Sequence, residues 1–243
     1  MTDAELAARL AEEAGRRLVA LQTEGSLEGK ALGAEGDRIA NAFLVDALRR
    51  ARPQDGLLSE EMRDDRTRLG QARVWIVDPL DGTREYGELR DDWAVHVALA
   101  IEGTAAVGAV AQPGVGLFRS DRPAPLLPAP AIPRMVVSRT RPASEALSVA
   151  EALGAELVPM GSAGAKAMAV VRGAAEIYFH TGGQHEWDNC APVAVARAHG
   201  LHASRADGSR LTYNRADTAL PDLLICRPEW AERVLAAASA AHR

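Results

Sequence analysis

The chain has 243 residues, with 28 Lys and Arg against 33 Asp and Glu, which gives a formal charge of −5 at pH 7. Hydrophobic residues make up 47% and charged residues 25%, which excludes a disordered chain and a coiled coil and allows one large domain or two small ones. The acidic balance argues against a nucleic-acid polymer or an anionic lipid surface as partner, and an aromatic content of 4% argues against a base-stacking platform.

Two cysteines, Cys190 and Cys226, exclude a disulfide framework and a Cys-rich zinc site. The first residues, MTDAELAARLAEEAGRRL, carry acids where a secretory signal carries bases and an apolar run. No stretch approaches the length of a membrane span. The expectation is a cytoplasmic protein with no membrane association.

Leu6, Leu10, Ala14, Leu18 and Leu21 recur at steps of three and four and predict an amphipathic first helix, capped by Thr2 or Asp3. Gly25 to Gly36 reads as a glycine-spaced loop. A second helix is expected from about Asp37 to Arg50, with Ile39, Phe43, Leu44, Ala47 and Leu48 on its apolar face and its exit at Pro53 and Gly56. The period then changes to that of strands. GLLSEE is a short apolar run ending in two acids, and ARVWIVDPLDGT is an apolar strand stopped by Asp-Pro. WAVHVALAI and AAVGAVAQP, separated by Glu102-Gly103, read as a hairpin.

Five prolines from Pro123 to Pro133 exclude a central strand or a helix there. Residues 123–133 are read as the connection between an N-terminal half, 1–122, and a C-terminal half, 134–243; a long surface loop is the alternative. The second half alternates. RMVVS, ELVPM and AEIYF are strands, and ASEALSVAEALG, SAGAKAMAVVRG and DNCAPVAVARAHG are helices. LHAS, PDLLICR and a final helix through Ala241 follow. Such alternation implies an α/β layer structure.

The chemistry is most visible in VWIVDPLDGT. An apolar strand delivers Asp78 at its carboxyl end, and Asp81 follows three residues later. Two carboxylates on a tight turn bind one hard cation from two sides or bridge two. The N–H groups of Gly82 and Thr83, at a helix start, suit a phosphate. The alternative is an Asx-Pro turn with a capping Asp. Glu60 and Glu61 end another short strand, so that one of them meets Asp78 or both are solvated. Asp37 reads as a helix N-cap. Asp188 lies at or just before a helix start, as a cap or a ligand, and Trp187, Cys190, Ala191, Ala194 and Ala198 form that helix's buried face. Pro192 is tolerated there by lying near the first turn. Cys190 reads as a small buried hydrophobe.

WIVDPLDGT, the preceding SEE and the later WD-x-x-AP resemble the signature of the inositol monophosphatase-like, metal-dependent and lithium-sensitive phosphatase superfamily. The match keeps the family's order and covers nearly the whole chain. DGTREY in place of DGT-x-N-F, SEE in place of GEE, GSAGAKAMAV and SRT resemble its CysQ branch, and EGDRIAN and RDDWAVH the actinobacterial form. Members of that branch are 3′(2′),5′-bisphosphate nucleotidases, which hydrolyse 3′-phosphoadenosine 5′-phosphate to AMP and phosphate in sulfate assimilation.

The resemblance implies a layered αβαβα sandwich of the sugar/inositol phosphatase type, of mixed α+β and α/β halves with a cleft between them. It implies two or three Mg²⁺ ions, with Mn²⁺ as a substitute, held by Glu60, Asp78, Asp81, Asp188 and the carbonyl of Leu80. Asp37 is implied to pair with Thr83 and to help hold a third, weaker ion, although A-E-G-D here replaces the family's T-A-A/T-D. Glu60 and the Asp37–Thr83 pair are the implied catalytic groups that orient water.

The implied partner is a small nucleotide bisphosphate, met by Gly82, Thr83, Arg139, Ser162, Lys166 and His185; a homodimer fits the relatives. For Lys166 the alternative is a solvated side chain on an exposed helix face. His180 reads as a strand-end surface residue or a pocket residue, His96 as a satisfied core histidine, and Trp75 and Trp187 as core. Alternative functions are an inositol-1-phosphate or fructose-1,6-bisphosphate phosphatase of the same superfamily and, remotely, a non-catalytic metal- or nucleotide-binding protein.

Overall fold

In the computed structural model, residues 1–126 and 128–241 are described. Helix α1 (Asp3–Glu24) opens on a capping box: the Thr2 hydroxyl accepts from the Glu5 N–H at 3.1 Å, and the Glu5 carboxylate accepts from the Thr2 N–H at 2.8 Å. The expected stripe of Leu6, Leu10, Ala14, Leu18 and Leu21 is buried.

Helix α2 runs from Gly29 to Ala51, so most of the expected Gly25–Gly36 loop is helical. Asp37 therefore lies inside a helix and caps nothing. The glycines serve a different purpose from turning the chain. A Cβ on Gly33 would stand 2.7 Å from Thr83 Cγ2, and one on Gly36 2.9 Å from the Tyr86 ring. They let the short helix α3 (Thr83–Gly87) press against α2.

Strands β1 (Gly56–Ser59), β2 (Arg73–Asp81), β3 (Ala94–Ile101), β4 (Thr104–Gln112) and β5 (Gly116–Arg119) form the first sheet in that order. β1 pairs parallel to β2, and the remaining pairs are antiparallel. The sequence reading did not include β5. The second sheet has the order β7-β6-β8-β10-β9, from β6 (Arg134–Ser138), β7 (Glu156–Met160), β8 (Ile177–His185), β9 (His202–Ser204) and β10 (Ala219–Cys226). The described residues of the proline-rich stretch, 123–126 and 128–133, carry neither helix nor strand.

Strand periodicity explains the layers. On β2, Trp75 and Val77 pack against α1 and α2, whereas Val74 and Ile76 face the other way. There they meet α5 (Ala163–Val171) and α6 (Glu186–Ala198), which also cover one face of the second sheet through Tyr178, Leu223 and Ile225. Helices α4 (Ser144–Leu153) and α7 (Pro228–Ala241) cover the second sheet's far face around Phe179, Leu224 and Trp230. The result is the αβαβα sandwich.

Helix α6 begins earlier than the sequence suggested. Asp188 sits within its first turn, and Pro192 lies two residues deeper than expected, in the second turn, where it forgoes a helical hydrogen bond. No described helix is long and apolar enough to cross a membrane.

Candidate active site

Asp78 and Asp81 are three residues apart and would face opposite ways on a regular strand. The pairing of β2 with β3 shifts between them: Asp78 lies opposite His96, but Asp81 lies opposite Ala94. This bulge inserts one extra residue at Pro79-Leu80, which turns Asp81 to the Asp78 side and sends Leu80 into the core against α1 and α2. The first turn of α6 brings Asp188 to the same place. One carboxylate oxygen from each of Asp78, Asp81 and Asp188 lies within 4.8 Å of the others. Glu60 leaves the end of β1 alongside β2, with its N–H donating to the Val77 carbonyl at 3.4 Å.

Crowding sets the protonation of these groups. Burial first, then the charges of Glu60, Asp81 and Asp188, raises the Asp78 carboxyl well above the usual range. Burial and the charge of Asp81 raise Asp188 to about 6. Glu60 opens to solvent at one side, yet loss of hydration and the charges of Asp188, Asp81, Glu61 and Asp37 raise it to about 7. Asp37, buried on α2, is raised to about 7 by desolvation and Glu61, against the opposing hydrogen-bonding effect of the Thr83 side chain.

Asp81 behaves oppositely. Burial alone would raise it, but His96, Ser162 and the Gly164 N–H together hold it near 2. Its Oδ2 accepts from the Ser162 hydroxyl and the Gly164 N–H, each at 2.5 Å, and its Oδ1 from the Ala163 N–H at 3.1 Å. Asp81 thus sits at the N-terminal end of α5, where the backbone favours an anion. An all-oxygen set whose members repel one another unless a cation lies between them fits a hard divalent ion.

His96 is more than a satisfied core residue. It is fully buried, with Nδ1 3.0 Å from the Trp187 carbonyl in a hydrogen bond, and Nε2 facing Asp81 Oδ2 at 3.3 Å as a charge contact outside hydrogen-bond geometry. Both partners are acceptors, and the pull of Asp81 raises its pKa despite burial.

The remaining expected residues fall around this cluster. The Leu80 carbonyl accepts from the Thr83 hydroxyl at 3.1 Å. Gly82 precedes α3 with φ 93°, and a Cβ there would lie 3.1 Å from Ser162. Lys166 is buried, which overturns the solvated alternative: its Nζ donates to the carbonyls of Gly161 at 2.8 Å and Ser162 at 2.6 Å. Arg139 is bonded to the buried Asp92, which also accepts from the Gly161 N–H at 2.6 Å.

His185, exposed, stacks on the partly buried Trp187 with ring centroids 4.6 Å apart, so Trp187 is not simply core. His180 is half-buried rather than a surface residue, and burial and Lys166 lower its pKa to about 4. Glu61 is exposed, while Cys190 and Trp75 are buried as expected. The sequence reading missed Asp92 and Glu85, two buried acids that order Arg139, Arg84 and the Gly161 turn. The alternation of acids and arginines in TREYGELRDDW was the available signal.

The model of the inositol monophosphatase family matches residues 2–243. A protein of Mycobacterium leprae named 3′-phosphoadenosine 5′-phosphate phosphatase is 48% identical over 97% of this chain and 93% of its own length. The 3′(2′),5′-bisphosphate nucleotidase CysQ of Escherichia coli is 28% identical over 76% of this chain and 80% of its own. The crystal structure of CysQ from Bacteroides thetaiotaomicron, described as a bacterial member of the inositol monophosphatase family, superposes with a TM-score of 0.80 at 26% identity. It covers 93% of this chain and 97% of that one. With the acid-lined bulge of β2 and the αβαβα layers already in place, the full-length match leads to one conclusion: this chain belongs to the inositol monophosphatase family.

Proposed function

We propose that this protein is a divalent-metal-dependent phosphomonoesterase that hydrolyses the 3′-phosphate of 3′-phosphoadenosine 5′-phosphate, giving AMP and phosphate. The convergence of Asp78, Asp81 and Asp188 within 4.8 Å, beside Glu60, carries the reading, and the names of its relatives supply the substrate. Mg²⁺ is the proposed ion, two or three per site, with Mn²⁺ able to replace it. Asp78, Asp81, Asp188, Glu60 and the Leu80 carbonyl are the proposed ligands.

When bound, such ions supply Lewis-acid polarisation of a phosphoryl group and of water. The protein's own groups do the rest. Glu60 and Asp37 are proposed to orient the attacking water and to take its proton, as carboxylates beside the cluster can. Thr83, bonded to Leu80, keeps the start of α3 beside Asp37. The N–H groups of Gly82 and Thr83 are proposed to orient the phosphate. Positioning and charge suffice for most of the acceleration, because phosphoryl transfer needs little covalent help.

Ser162 acts through Asp81. Lys166 contributes charge and fixes the Gly161-Ser162 turn. Arg139 and the His185–Trp187 stack border the site and are the proposed contacts for the second phosphate and the nucleoside. The two-half division at residues 123–133, a cytoplasmic location and a homodimer belong to the same proposal.

Phosphate release measured with 3′-phosphoadenosine 5′-phosphate, inositol 1-phosphate and fructose 1,6-bisphosphate tests it. The nucleotide is expected to have the highest kcat/KM in Mg²⁺, and a clear preference for inositol 1-phosphate would overturn the substrate assignment.

A further inference from the structure

His96 occupies a position that the reading above leaves without a task. It lies opposite Asp78 in the β2–β3 pairing, on the same sheet face as both aspartates of the bulge. Its two ring nitrogens reach different parts of the site: Nε2 approaches Asp81 Oδ2 at 3.3 Å, and Nδ1 approaches the Trp187 carbonyl, one residue before Asp188, at 3.0 Å. The ring therefore spans the bulge of the first sheet and the start of α6, which carry separate members of the acid cluster.

Space around the ring is reserved for it. A Cβ on Gly164 would stand 2.0 Å from Nε2 and 3.1 Å from Asp81 Oδ2. The absence of a side chain at 164 lets the ring approach while the Gly164 N–H also reaches that oxygen. The bonds on Asp81 are unequal. Oδ2 receives the Ser162 hydroxyl, the Gly164 N–H and the approach of His96, whereas Oδ1 receives the Ala163 N–H among the described residues.

We propose that His96 is a positioning residue: it fixes Asp81 by Oδ2, so that Oδ1 is presented to the divalent ion. The inference rests on the metal-dependent reading above. Groups that orient a ligand from behind commonly change metal affinity by about 10- to 100-fold when removed.

Two conservative variants separate the two ring contacts. In His96→Gln the amide Nε2 replaces the donor toward Asp81 and the Trp187 contact is lost. In His96→Asn the shorter amide keeps the donor near Trp187 and leaves Asp81 without one. Mn²⁺ titration calorimetry, with thermal unfolding of the same samples in chelator, gives a readout independent of turnover. His96→Asn is expected to bind Mn²⁺ about 10-fold or more weakly, with kcat recovering at high metal, while His96→Gln keeps wild-type affinity.

Equal affinities for wild type and both variants would overturn the role, as would an equal loss in both variants matched by equal destabilisation. If His96→Asn does not fold, His96→Gln decides: retained affinity supports the inference and a tenfold loss overturns it. Wild-type protein that binds no Mn²⁺ and needs no metal for turnover would instead defeat the metal-dependent reading itself.

Discussion

The ring of His96 occupies the space that a side chain at Gly164 would need: a Cβ there would lie 2.0 Å from Nε2. Helix α5 can therefore bring its first N–H groups to Asp81 only with glycine at this point. Gly164→Ala is expected to destabilise the protein by roughly 1–3 kcal/mol through overpacking, and to lower activity further by displacing Asp81. Urea unfolding and steady-state kinetics check this; a variant as stable and active as wild type would show that the contact relaxes freely.

The acids of the cluster should differ in sign when metal is absent. Asp81 is held near 2 by His96, Ser162 and the Gly164 N–H, acting against burial, so Asp81→Asn loses charge-assisted bonds. The expected cost is roughly 1–3 kcal/mol. Asp188 is raised to about 6 by burial and by Asp81, so the folded protein bears a cost for ionising it at neutral pH. Asp188→Asn is expected to stabilise the chelated protein by roughly 1–2 kcal/mol. Both variants are expected to lose turnover in Mg²⁺. Thermal unfolding in chelator checks the contrast, and full activity of Asp81→Asn would remove it from the ligand set.

The same shifts fix a pH dependence. Asp37 and Glu60 stand at about 7 and Asp188 at about 6 in the folded protein. In the unfolded chain these carboxyls titrate at about 4. As pH rises from 4 to 7 the unfolded chain releases protons that the folded site retains, so the contribution of these groups to stability falls across that window. Asp81, near 2, works in the opposite sense and only below the unfolded range. Metal-free protein should therefore lose stability between pH 4.5 and 7.5, and metal should oppose the loss. Metal binding should release more protons at pH 6 than at pH 8, measurable by calorimetry in buffers of different ionisation enthalpy.

Lys166 donates to two backbone carbonyls, at 2.6 and 2.8 Å, and lies 5.4 Å from the Tyr178 ring centroid. Lys166→Met leaves those carbonyls without their donor. A stability loss of roughly 1–3 kcal/mol is expected, with KM for the nucleotide little changed. A large rise in KM at unchanged stability would place the ammonium on the substrate instead.

Much of the architecture was legible from periodicity. Leu6 to Leu21 marked one helix face, because α1 buries a single face, and the alternation after Arg134 marked the second sheet and its helices, although α5, between the two sheets, is buried on every side. The Gly25–Gly36 stretch misled because glycine marks close approach as readily as it marks a turn. The demand at Gly33 and Gly36 comes from Thr83 and Tyr86, about 50 residues away in sequence.

Part of the chain's excess of acids is gathered into one cluster, Asp78, Asp81 and Asp188, whose spacing and family motifs are legible in the sequence. Which carboxylates converge was decided by tertiary structure. Strand parity alone sends Asp78 and Asp81 to opposite faces, and only pairing with β3 reveals the bulge that reunites them. The task of His96 is equally invisible along the chain, where it is one polar residue in an apolar strand. Its two partners come from the end of β2 and the start of α6, and packing alone makes them neighbours. Sequence by itself determined the chemical inventory and its order, because these are local; the folded layers determined which groups share a charge, a ligand or a proton, because electrostatic and hydrogen-bonding partners act over ångströms of space rather than along the chain.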